Sequence, residues 1–125
     1  MTGRLPRLPV YALVMPVGDT ALFIDAFESH RHFELWRYEV GHAQLLLRSV
    51  KSDQNQTRID VLFKVVEAID LPTSFDGLRL ERHDNAFGLS GVGWSGSVIA
   101  GACFRAEDTG EYFDPSPFAD SMPGA

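Results

Sequence analysis

The chain has 125 residues, of which 45% are hydrophobic and 22% charged, enough apolar surface for one domain and too much for a disordered chain. Its net charge of -6 repels phosphate backbones and gives an anionic membrane nothing to attract, so neither nucleic acid nor a membrane is expected as partner. The single cysteine, Cys103, excludes an internal disulfide and reads as small apolar filler in a strand.

Arg4 and Arg7 lead into an apolar run from Val10 to Met15, but Pro6, Pro9 and Pro16 interrupt it. No small-residue cleavage site follows, so a cytoplasmic protein without a signal peptide is expected. The bracketed run fits a short edge strand or an extended arm. Between Thr20 and Glu28, Leu22, Phe23, Ala26 and Phe27 fall at helical spacing with Asp19 as a cap, although the stretch also alternates. One short helical turn leading into a strand is the expectation there.

From His30 to Val40, Trp36, Tyr38 and Val40 share a face with Glu34, while Phe33 and Leu35 share the other with Arg37 and Glu39. Aromatics on both sides imply a strand covered on each face, or a bulge that flips the register. Gly41-His42 makes a tight connection into a strand over 43–50. The polar stretch 52–56 is a hairpin loop, and Thr57 to Phe63 is the clearest strand of all. There Ile59, Val61 and Phe63 are expected to be buried and Arg58 and Asp60 exposed. Val65 to Leu71 continues it after a bend, until Pro72. Asp76-Gly77 carries the residues of a type I′ turn, which predicts a hairpin with Leu78 and Leu80 on the returning strand. Residues 84–97, rich in Gly and Ser, read as a long loop, and 98–106 as a last strand.

Residues 107–125 hold Glu107, Asp108, Glu111, Asp114 and Asp120 but no Lys or Arg, so most of the net charge lies there. Pro115, Pro117 and Pro123 leave no periodicity. The division expected is a single β-domain at 1–106 and an acidic, Pro-containing C-terminal tail at 107–125, extended or disordered. Deleting such a tail would change stability by roughly 1–2 kcal/mol or less. The fold class is all-β: an antiparallel meander forming a small sandwich or half-open barrel, with at most one short helix.

Gly91-Val92-Gly93-Trp94-Ser95-Gly96 is a literal G-x-G-x-x-G, but no strand precedes it and no βαβ unit fits after it. Gly93-Trp94-Ser95-Gly96-Ser97 half-matches a nucleophile elbow, with Ser97 where glycine is required and every histidine upstream. His30, His32 and Glu34 are the metal candidates. On a strand they share a face at about 6.6 Å spacing, and two His with a carboxylate is a common ligand set. Yet Trp36, Tyr38 and Val40 continue that face, and a solvated strand edge explains the same pattern. The carboxylates Glu34, Glu39, Asp60, Glu67, Asp70 and Glu81 alternate with Arg58, Lys64 and Arg79, which favours cross-strand ion pairs over an acid–base pair. No cofactor is implied.

The segments ALFIDAFESHRHFELWRYEVGHAQLLLRS, TRIDVLFKVVEAIDL and FDGLRL resemble small uncharacterised all-β bacterial domains, some of them similar to immunity proteins of polymorphic toxin systems. The pattern is Asp25-Ala26, a hairpin of two strands, and a strand ending Phe63-Lys64. Ile24 stands where similar domains often carry histidine. The resemblance implies an all-β fold and a protein partner such as a toxin. The function expected is therefore a non-enzymatic binding module, with Trp36, Tyr38, Tyr112, Phe113 and Phe118 as candidate partner-binding residues. Apolar residues on both faces of 34–47 favour a homo-oligomer such as a homodimer. The alternatives are a small metal-dependent or hydrolytic enzyme using His30, His32 and Glu34, or a binder of an apolar small ligand lined by Phe33, Trp36 and Phe63.

Overall fold

Alternation of apolar and polar residues makes strands, and in the computed structural model, which describes residues 21–118, nine strands form one antiparallel sheet. They are β1 (Ala21–Phe23), β2 (Ala26–Glu39), β3 (Gln44–Ser49), β4 (Arg58–Lys64), β5 (Ala68–Asp70), β6 (Ser74–His83), β7 (Ala86–Gly91), β8 (Trp94–Ile99) and β9 (Ala102–Asp108). Among the described residues the one helical element is a 3-10 turn at Val40–His42, at the connection expected there. The all-β expectation holds. So do the β2–β3 and β3–β4 hairpins and the polar loop between β3 and β4.

The lateral order is β1-β9-β4-β3-β2-β6-β7-β8-β5, and that order forces the sheet to curl. In a flat sheet β4 and β5 would lie about 29 Å apart. The chain from Lys64 to Ala68 reaches at most about 14 Å. Ile99 to Ala102 joins β8 to β9 under the same constraint. The sheet therefore doubles over into a half-open barrel, with β1 and β5 as its edges among the described residues. The two short connections bind each other where they cross: Glu67 N–H donates to the Ile99 carbonyl at 2.7 Å, and Gly101 N–H to Lys64 at 2.9 Å.

The enclosed face is one core. Phe33, Leu45, Leu47, Ile59, Val61, Phe63, Phe75, Leu78, Leu80, Phe87, Leu89, Val98 and Cys103 meet there from seven strands. Phe33 stacks on Phe75, and Phe63 meets Phe87 edge-on at 5.3 Å. Phe33 and Phe63 are thus packed against other rings, while Trp36 lies on the opposite face; the three do not line a common cavity. A second, smaller cluster of Leu46, Leu62, Ala106 and Phe118 lies on the outer face of β3, β4 and β9.

Several expectations change. The stretch before β2 is extended, not helical, because Ala21–Phe23 pairs along β9. Asp76-Gly77 is no hairpin. It lies within β6, where Gly77 takes φ 76° opposite a register shift in β2, so the positive φ serves a bulge. The glycine-rich stretch is itself a hairpin, β7 to β8, turning at Val92-Gly93. Gly91 must be glycine, since a Cβ there would run into the backbone oxygens of Asp76 and Gly77. The supposed last strand is two: β8 ends at Ile99 and β9 begins at Ala102. The apolar run from Val65 forms only β5, which pairs with β8 at the far edge. Arg58 and Asp60 are each only 1% exposed, because β4 is central in the sheet and covered on both faces. The arm expected at 10–15 lies outside the described residues.

Candidate functional site

From the end of β9 to Phe118 the chain stays on the domain. Residues 109–118 turn back as a strap over the outer face of β4 and β3, and buried arginines hold it. A guanidinium offers five N–H donors in a fixed fork. Arg58 uses all of them. Its Nε and Nη2 donate to the Asp108 carboxylate at 3.0 and 2.6 Å, Nη1 donates to the Glu111 and Asp114 carbonyls at 2.9 and 2.8 Å, and Nη2 donates to the Pro115 carbonyl at 3.0 Å. Arg48 forms a bidentate pair with Asp60 at 2.7 and 2.9 Å and donates to the Tyr112 carbonyl at 2.8 Å. The Ser116 hydroxyl donates to Asp60, and Phe118 closes the strap against Leu46, Leu62 and Ala106. Gly110 lets the turn pass beside the Arg58 guanidinium, where a side chain has no room.

Glu107, Asp108, Glu111 and Asp114 are spent inside the molecule, and Asp120 lies outside the described residues. Lys51 pairs with Glu111 at 2.8 Å, and Arg31 and Arg105 flank Glu107 at 3.4 and 3.0 Å. Burial opposes the charge on Arg58, but the Asp108 hydrogen bond and field outweigh it and raise its pKa. Burial likewise pushes the Asp108 carboxyl up, and the bonds from Arg58 and the Gly110 N–H more than reverse that, leaving it low. Glu107 is lowered first by the Thr57 hydroxyl, against its burial, and further by Arg105 and Arg31. A free acidic arm is therefore not what residues 107–118 form.

These two depressed carboxylates set an acid limit. Their contribution is complete above the ordinary values of 4.5 and 3.8 and is lost as pH falls through their lowered native values. The melting temperature should stay level from neutrality to about pH 5 and then fall. A decline that begins above about pH 6 would instead assign control to histidine.

Pinning the strap backbone leaves two of its rings outside. Tyr112 is 57% exposed and Phe113 69%, and they meet edge-to-face at 5.1 Å. Trp36 is linked to the strap through Arg48, whose guanidinium lies 4.9 Å over the Trp36 ring while donating to the Tyr112 carbonyl. Of the other aromatic candidates, Phe118 is buried. Tyr38 follows a bulge between Leu35 and Arg37, which puts it opposite Leu45, while Arg37 faces Leu46.

The histidine candidates sit on β2. His32 Nδ1 lies 2.7 Å from Asp76 Oδ1, and its Nε2 lies 3.8 Å from Glu34. Asp76 is the partner that sequence reasoning missed, because the β2–β6 bulge alone brings it there. His30 does not join this pair; among the described residues no group of three or more His, Cys, Asp or Glu is gathered for a metal. Ser95 stands mid-strand opposite Ser90, not on the strand-to-helix turn an elbow needs. Arg48, Arg58 and Asp60, which build the strap seat, and Ser116, which docks on it, had only one sequence signal: acids and prolines in the tail and two arginines on apolar strands. No family model, curated protein or solved structure matches the chain.

Proposed function

We propose that the protein is a non-enzymatic binding module that recognises a protein partner through the aromatic surface of Tyr112, Phe113 and Trp36. The observation that carries this reading is the pairing of a strap held at four carbonyls by buried arginines with two outward rings. Aromatic anchors dominate binding energy at interfaces, and rings held in place before binding lose little entropy on contact. The resemblance to immunity-type domains supports a toxin as the partner. The same apolar surface in two copies supports a homodimer. Among the described residues no helix is long and apolar enough to cross a membrane.

The test uses the full chain and its Tyr112→Ala/Phe113→Ala variant. Both side chains are exposed, so the melting temperature should shift little. A partner retained by immobilised wild-type protein should be lost on the variant, with affinity reduced at least about 100-fold for two anchor residues. Equal retention by both proteins would remove the aromatic pair from the interface.

A further inference from the structure

The seat beneath the strap reads main chain more than side chain. Arg58 takes the carbonyls of Glu111, Asp114 and Pro115, and Arg48 takes that of Tyr112. Two side chains add selectivity: the Ser116 hydroxyl on Asp60, and Phe118 in the apolar patch of Leu46, Leu62 and Ala106. A turn closed by the Asp114 N–H on the Glu111 carbonyl at 3.1 Å aims the strap carbonyls at the seat, and a strap of the same sequence on a second copy can fold the same turn. The strap joins β9 through the short Thr109-Gly110 link, with the Gly110 N–H donating to the Asp108 carboxylate at 3.1 Å. An opened seat would leave two guanidiniums with donors free and Leu46 and Leu62 uncovered, which favours recapture of any segment of the same pattern.

We propose that this seat accepts in trans the strap of a second copy of the chain, so that the strap is an exchangeable latch and two copies hold each other by swapping it. Contacts in cis and in trans are the same, and the two states differ in the effective concentration of the strap. The inference goes beyond the aromatic reading, which concerns what the strap displays and not where it lies.

The experiment uses full-length protein and, as probe, a fluorescent peptide of residues 109–118. The resident strap competes with the peptide, so weakening it should admit the probe. Fluorescence anisotropy should show saturable binding to the Ser116→Ala and Phe118→Ala proteins at least tenfold tighter than to wild type. A peptide carrying both substitutions should bind at least tenfold more weakly. A peptide with Tyr112→Ala and Phe113→Ala should keep its affinity, because the seat takes only carbonyls there, and this separates the latch from the partner surface. Absence of saturable binding to the variants, while they still melt cooperatively, would overturn the proposal. Should Phe118→Ala not fold, Ser116→Ala is read alone by the same two outcomes.

Discussion

Replacing Arg58 with alanine is expected to be the most damaging single change in the protein. The side chain is 1% exposed, and its loss leaves the Asp108 carboxylate, itself 13% exposed, without the guanidinium that pairs with it. The Glu111, Asp114 and Pro115 carbonyls lose their donors in the same step. Breaking a buried pair from one side costs about 3–5 kcal/mol, against about 5–15 kcal/mol for a whole domain. Urea denaturation should therefore show a midpoint shifted sharply down, or no folded baseline. Arg58→Lys should recover only part of the loss, since a point-charge ammonium with three donors cannot make two forked contacts at once. A loss within about 1 kcal/mol for Arg58→Ala would mean the pair behaves like a surface ion pair.

Truncation after Thr109 should be nearly as severe. It removes Phe118 from its patch, a loss of about 3 kcal/mol for a buried phenylalanine. It also returns part of Leu46 and Leu62 to water, about 1–2 kcal/mol more. Arg48, Arg58 and Asp60 become hydrated on truncation, which limits the added electrostatic cost. The expected loss, on the order of 4–5 kcal/mol, exceeds the roughly 1–2 kcal/mol that a docked but dispensable tail would cost. The control is the full chain with Tyr112→Ala and Phe113→Ala, whose stability should stay within about 0.5 kcal/mol of wild type. A truncated protein as stable as that control would show that the strap contributes nothing to the fold.

Where alternation is local, the sequence was legible. Ile59, Val61 and Phe63 declare a strand with a buried face whatever surrounds them, and the polar loop at 52–56 can only be a turn. The all-β class follows from such patterns, because a period of two is a property of neighbouring residues. Aromatics on both faces around Trp36 implied either a strand covered on each side or a bulge, and β2 carries a bulge between Leu35 and Arg37.

Where a residue's role depends on what crosses it from afar, the pattern misled. Asp76-Gly77 reports a need for positive φ, but whether a turn or a bulge uses it depends on β2 lying alongside. Arg58 and Asp60 alternate like solvent-facing residues, and the side they face is wet or dry according to a strap some fifty residues later. The glycine-rich stretch has too few side chains to show a period, so pairing along β6 decides its strands. The chain alone determined the alternating strands such as β4 and their apolar face. Only the curled sheet, forced by two short connections between distant strands, decided that an acidic tail would become the second wall of the fold, because buried guanidiniums need its carbonyls and its phenylalanine fills the patch beside them.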